Sequence, residues 1–124
     1  MTWLVVEALL YLIRTDVLTY RRGVLALHAV LTASSSSGSA APGYRLEQIC
    51  RAADIASILY CKRVLCLQRS AATTMLLRRY GFAAELVIGA RIVPFKSHAW
   101  VELDGVVLND KPYTPQLYRE LERC

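Results

Sequence analysis

The first third of the chain is apolar in a pattern that predicts helices. Residues 3–31 carry few polar side chains and are interrupted at 14–16 and 20–23, which predicts helices over about 3–19 and 23–32. Apolar positions occur nearly all round the first helix, as in a helix covered on most sides. Arg14 and Asp16 end the run well short of the roughly 20 residues that span a bilayer. We therefore expect no spanning segment, but a helix buried in protein or held against a partner.

A stretch of small residues separates this helical piece from the rest. Residues 32–43 read TASSSSGSAAPG, a composition that cannot form a core and that ends in a Pro-Gly stop signal. We interpret 1–31 as an N-terminal helical extension, 32–43 as a linker and 44–124 as the main domain. The extension is expected to be either a docking face for a partner or peptide, or a helical cap on the main domain.

The main domain is predicted to begin with helices and to continue with strands. Apolar residues recur at helical spacing over 45–60 and 66–80, and Gly81 is a typical helix-ending residue. Residues 82–90, 98–103 and 106–109 then predict strands, the last two joined at Asp104-Gly105. Residues 114–123 predict a short helix. This order indicates an α+β fold, with helices packed on one face of a small antiparallel sheet.

Charge and composition narrow the possible partners. The net charge is +5 and 55% of the residues are hydrophobic, but the arginines are spread out, without the basic cluster typical of nucleic-acid binding. We expect no nucleic-acid partner, although a mild positive field favours an acidic one. No export signal is recognisable at the N-terminus, so we expect a cytoplasmic protein.

The four cysteines, at positions 50, 61, 66 and 124, do not form a Cys-x-x-Cys pair. This spacing predicts neither a disulfide framework nor a zinc site, so we expect free thiols, no metal and no cofactor. Cys66 stands at the start of a predicted helix, where unpaired N–H groups and the helix dipole favour a thiolate. Cys61, just before that helix, stays open as an alternative.

A thiol nucleophile needs a base, and the base needs a group that orients it. His98 in the second predicted strand and Asp110 after the third are candidates. A three-residue loop with Gly105 last would put His98 across from Asp110, whereas a two-residue turn would place them on opposite faces. Both registers are chemically reasonable. Asp104 is an alternative carboxylate, although it is better explained as a turn residue.

The stretch from Cys66 to Asp110 resembles the transglutaminase-like leader peptidases of lasso-peptide biosynthesis. The resemblance is carried by Cys66-Leu67-Gln68-Arg69-Ser70, by the segment 81–89, by PFKSHAWVE at 94–102 and by the downstream Asp110. It runs without a gap over 45 of the 124 residues of the chain.

This resemblance implies a papain-like or transglutaminase-like core and a cysteine peptidase. Cys66 would be the nucleophile, His98 the general base and then acid, and Asp110 the residue that orients the imidazole. The substrate would be a ribosomally made precursor peptide, cut between leader and core through an acyl-enzyme. The chain is similar to the stand-alone peptidase, so a separate leader-binding protein (a RiPP recognition element) and a lasso cyclase are the implied partners.

Other functions fit the same residues. A transglutaminase-type acyl transferase would use the same triad with an amine in place of water. A non-catalytic scaffold would only present the leader to a cyclase. A metal site built from Cys61, Cys66 and His98 is a further alternative.

Overall fold

The computed structural model describes residues 2–23, 29–32, 45–60, 66–92, 95–108, 110 and 112–124. Residues 29–32 are helical. The remaining elements of the described part are, in chain order, α1 (Thr2–Arg22), α2 (Leu46–Leu59), α3 (Cys66–Arg79), β1 (Glu85–Ile92), β2 (Phe95–Leu103), β3 (Val106–Val107), α4 (Thr114–Leu117) and β4 (Arg119–Arg123).

Helix α1 runs from Thr2 to Arg22, so it includes the whole helix predicted over about 3–19 and extends three residues beyond it. Asp16 lies within this helix, and its carboxylate accepts hydrogen bonds from the Tyr60 hydroxyl and from Gln68 Nε2, both at 3.0 Å. These bonds tie α1 to the end of α2 and to the first turn of α3. The linker lies outside the described residues apart from position 32, and the division into extension, linker and main domain stays a prediction.

Among the described residues, α1 is covered on one side only, which differs from the expectation of a helix covered on most sides. The buried row of α1, formed by Leu4, Ala8 and Leu12, joins a hydrophobic cluster with residues of α2, α3 and β2. Large apolar side chains on the opposite side are exposed to solvent. The covered side makes α1 part of the same core that holds α3.

Helix α3 is the centre of the fold. All its residues from 70 to 78 are buried, because α1 and α2 pack on one side of it and the sheet packs on the other. Gly81, predicted as the helix-ending residue, completes a Schellman motif in which Phe82 N–H donates to Leu77 O at 3.0 Å and Gly81 N–H donates to Arg78 O at 3.1 Å. A helix enclosed in this way gives its first residue, Cys66, a fixed position.

Arg78 connects α3 to three other segments of the chain. Its guanidinium donates hydrogen bonds to the backbone carbonyls of Leu31 at 2.7 Å, Ala84 at 3.0 Å and Cys124 at 2.9 Å. The group is buried, and burial lowers the pKa of Arg78 because it disfavours the charged form. The side chain therefore holds residues 29–32, the approach to β1 and the residue after β4 against α3.

The four strands form one antiparallel sheet in the order β3-β2-β1-β4. Strands β2 and β3 are joined by a two-residue turn, in which Asp104 and Gly105 have φ of 51° and 80°, as a type I′ turn requires. Leu103 pairs with Val106, so the three-residue loop is wrong and the two-residue register is the one adopted.

The predicted C-terminal helix over residues 114–123 is also wrong in its second half. Helix α4 ends at Leu117, and the chain turns extended at Tyr118 to form β4, which pairs with β1. Pairing with a free sheet edge overrides the helical propensity of the segment RELER. Its charged, exposed side chains then protect the outer edge of the sheet.

These elements make an α+β fold with helices packed on a small antiparallel sheet, which confirms the predicted fold class. In the described part of the chain, no helix meets the length and apolarity needed to cross a membrane.

Candidate active site

Cys66 is the first residue of α3, and its side chain is exposed. The N–H groups of the first helical turn have no partner within the helix and point toward this end, where the helix dipole is positive. The thiol lines a small cleft of about 20 Å³ between the start of α3 and strand β2. The lining residues are Cys66, Arg69, Ser70, His98, Ala99 and Asp110.

His98 and Asp110 meet in this cleft. The Nε2 atom of His98 is hydrogen-bonded to Oδ2 of Asp110, and the two side chains are 21% and 25% exposed. A carboxylate at Nε2 keeps the proton of the neutral ring on that nitrogen. The other ring nitrogen, Nδ1, then carries the lone pair that a base requires.

Asp110 reaches His98 by leaving the sheet. The hydrogen bonding between β2 and β3 continues to Leu108, whose N–H donates to Val101 O at 2.9 Å, and the chain bends at Leu108 and again at Asp110. In the two-residue register a straight strand would put Asp110 across from Ala99, on the opposite face from His98. The bends at Leu108 and Asp110 therefore accompany a contact that the sequence analysis could explain only with a three-residue loop.

Ser70 joins the two elements that carry Cys66 and His98. Its buried hydroxyl donates a hydrogen bond to the carbonyl of Ala99 at 3.1 Å. Ser70 lies one helical turn after Cys66, and Ala99 directly follows His98. This bond fixes the start of α3 against the middle of β2, and so it fixes the width of the cleft.

Two aromatic rings support the imidazole of His98. The centroid of the Tyr118 ring lies 5.3 Å from that of His98, and the Trp100 centroid lies 6.1 Å from it. The Trp100 indole is buried and donates a hydrogen bond to Glu102 Oε2 at 2.7 Å. Gly89 is the Cα partner of His98 in β1, and its missing side chain leaves space for the Trp100 ring and for Cβ of Tyr118.

The sequence reasoning did not identify Tyr118 as part of this site. It placed the residue in a helix, whereas Tyr118 lies at the turn into β4. A glycine in an otherwise apolar strand is a signal of close packing that could have pointed to such a neighbour. Arg69 lines the cleft but also contacts α2, because its guanidinium lies 3.4 Å from an Asp54 carboxylate oxygen.

The other described cysteines have different environments. Burial, with added repulsion from Asp54 and Glu47, raises the pKa of Cys50 to about 11. Burial also raises the pKa of Cys124. Both thiols are therefore protonated at neutral pH. Cys61 lies outside the described residues.

Metal ligands do not cluster in the part of the chain that the structure describes. No three His, Cys, Asp or Glu side chains there come close enough together to hold a metal ion. The metal-site alternative included Cys61, so it falls partly outside this region.

Comparison with known proteins identifies the superfamily of this chain. The sequence model of the Transglutaminase-like superfamily matches residues 9–123, which is nearly the whole chain. The chain belongs to the transglutaminase-like superfamily. In this member of the superfamily, a helix that begins with a cysteine packs on an antiparallel sheet, and that sheet carries a histidine.

One curated relative gives a more specific similarity. This transglutaminase-like chain is 49% identical over 47 residues to the microcin J25-processing protein McjB of Escherichia coli. The match covers 38% of this chain and 23% of McjB. The two comparisons confirm the resemblance drawn from the sequence. No solved structure matches the chain significantly.

Proposed function

We propose that the chain is a cysteine peptidase that removes the leader from a lasso-peptide precursor, with Cys66 as nucleophile, His98 as base and Asp110 as its orienting group. The single observation that carries the proposal is the His98–Asp110 hydrogen bond in the cleft that Cys66 also lines. Membership of the transglutaminase-like superfamily and the 49% identity to McjB support the same activity and substrate class.

The first half-reaction forms an acyl-enzyme. His98 Nδ1 takes the thiol proton of Cys66, and the thiolate attacks the carbonyl carbon at the leader–core junction. The backbone N–H of Cys66, at the open end of α3, donates to the resulting oxyanion. When the tetrahedral intermediate collapses, the C–N bond breaks and the amine of the core leaves with the proton from Nδ1. The leader is then held as a thioester on Sγ.

The second half-reaction uses water. His98 Nδ1 removes a proton from a water molecule as the water oxygen attacks the thioester carbonyl. Collapse releases the leader with a free carboxylate, and the Cys66 thiolate regains its proton. Throughout both steps Asp110 holds the ring in the required tautomer and stabilises the imidazolium.

The proposal includes two partners. A separate leader-binding protein would deliver the precursor, and a cyclase would consume the freed core, since its new N-terminal amine is the group that a macrocyclisation needs. The McjB similarity supports this setting, because that protein is named for processing a microcin.

The test is mass spectrometry of a lasso-peptide precursor incubated with the wild-type chain, with Cys66→Ala and with the control Cys50→Ala, each with and without a leader-binding protein. We expect two fragments whose masses sum to the precursor plus one water, from the wild type and the Cys50 variant only. A mass gain of an added amine instead of water would identify an acyl transferase. Undiminished cleavage by Cys66→Ala would refute the proposal.

A further inference from the structure

The outer side of α1 carries a row of large apolar side chains with alternating spacings of three and four residues. This row, here called the outer seam, consists of Trp3, Val6, Leu10, Ile13, Val17 and Tyr20. The spacing is that of the a and d positions of a heptad repeat, which in coiled coils face a second helix. The outer seam is separate from the row of α1 that enters the core.

All six side chains of the outer seam are between 39% and 90% exposed. From Trp3 to Tyr20 the row rises by about 26 Å, at 1.5 Å per residue. Single exposed apolar residues are common on proteins, but a continuous row of this length marks an interaction surface.

Two grooves run beside the outer seam. One, of about 250 Å³, is lined by Trp3, Glu7, Leu10, Tyr11, Arg14 and Arg79. The other, of about 360 Å³, is lined by Arg14, Val17, Leu18, Arg21, Arg22 and Val30. A row of apolar residues bordered by such grooves accepts the side chains of a packed helix, because the knobs of one helix fill the spaces between those of the other.

The charge along this surface is positive. Arg14, Arg21 and Arg22 are exposed, and no carboxylate of the described residues forms an ion pair with them. The two acidic residues of α1 are engaged with the protein itself. Glu7 is buried and contacts Arg79 and the Tyr80 hydroxyl, and Asp16 accepts bonds from α2 and α3 as described above.

We infer that the outer seam binds an amphipathic helix of another protein, with apolar residues at a and d positions and Asp or Glu on the flanks. Charge selects this partner over a second copy of the chain, because two copies would bring arginines together with no free carboxylate between them. The narrow heptad row and its concave grooves fit a helix better than a membrane surface, which requires a wide convex apolar face. The inference stands apart from the proposed peptidase activity.

The test measures binding of a designed probe to the full chain. The probe is a fluorescein-labelled peptide of three heptads with Leu at a and d and Glu at e and g, since the Glu residues prevent it from pairing with itself. We expect binding by fluorescence polarisation that weakens as salt is added. The double variant Leu10→Ser with Ile13→Ser should bind at least about tenfold more weakly. The double variant Ile58→Ser with Leu59→Ser, also exposed but on α2, should bind as the wild type does.

A second arm tests the charge. The variant Arg14→Glu with Arg21→Glu should lose the Glu peptide and gain a matched peptide that carries Lys at e and g. Circular dichroism of each variant confirms that α1 is still folded. Failure of the wild type to prefer the Glu peptide, or equal binding by the outer-seam variant, would overturn the inference. The inference would also be overturned if the wild type formed a dimer in sedimentation, or bound anionic vesicles, and the outer-seam variant Leu10→Ser with Ile13→Ser abolished that association.

Discussion

Replacing Gly89 by alanine tests whether the packing behind His98 holds the site together. An alanine in place of a strand glycine usually stabilises a protein by about 0.5–1 kcal/mol, because glycine loses more backbone freedom on folding. Here a Cβ atom at position 89 would lie 2.8 Å from Trp100 Cη2 and 2.9 Å from Tyr118 Cβ. Neither neighbour can move freely, since Trp100 is fully buried and Cβ of Tyr118 moves only with its backbone.

Overpacking of this kind costs about 1–3 kcal/mol, so it outweighs the entropic gain and reverses the sign. We expect Gly89→Ala to lower the free energy of unfolding by about 1–2 kcal/mol, measured by urea denaturation. The displaced rings contact His98, so cleavage of the precursor should also slow by about tenfold or more at temperatures where the variant is folded.

Gly23→Ala is the control for backbone strain. Gly23 has φ of 83° but no atom within 4 Å of an added Cβ, so this change should cost about 1 kcal/mol and leave the cleavage rate unchanged. A Gly89→Ala variant that is more stable than the wild type and equally active would show that the space behind His98 has no role.

Three further predictions concern other groups of the fold and site. Asp110→Ala should lower kcat by about 10²–10⁴-fold because the imidazole loses its orienting carboxylate, whereas Asp104→Asn in the turn should not; equal losses in a steady-state assay would contradict this assignment. Arg78→Met should lower the free energy of unfolding by about 3–5 kcal/mol, because three backbone oxygens, two of them in buried hydrogen bonds, lose a charged donor, and a loss below about 1 kcal/mol in urea denaturation would refute it. At pH 8 iodoacetamide should alkylate Cys66 much faster than Cys50, whose pKa is about 11, and peptide mapping that finds equal rates would contradict the described thiol environments.

The helices around the candidate nucleophile could be predicted from the sequence because local signals agree with the tertiary structure there. Helix α3 begins at Cys66 and ends at Arg79, two residues before Gly81, as its apolar period and the glycine after it indicate. The α+β class followed from the change of period after Gly81. The resemblance over residues 66–110 added the pairing of His98 with Asp110.

The errors arose where distant contacts override local pattern. The departure of the chain from the sheet at Leu108, which allows Asp110 to reach His98, has no signal in the alternation of the strand. The segment RELER has a Glu120–Arg123 pair at helical spacing, but the free edge of β1 draws it into a strand. Because that strand was missed, the position of Tyr118 beside His98 was missed with it.

The most direct test of the central claim is to trap the acyl-enzyme. Precursor and protein are mixed, quenched in acid within a single turnover, digested with trypsin and analysed by mass spectrometry. The account predicts that the tryptic peptide 64–69, which contains Cys66, carries the mass of the C-terminal tryptic fragment of the leader minus one water, and that this adduct is absent in His98→Ala. An adduct on another cysteine during cleavage would contradict the account. So would the absence of any adduct in the wild type, if the Cys66→Ala variant still cleaves the precursor.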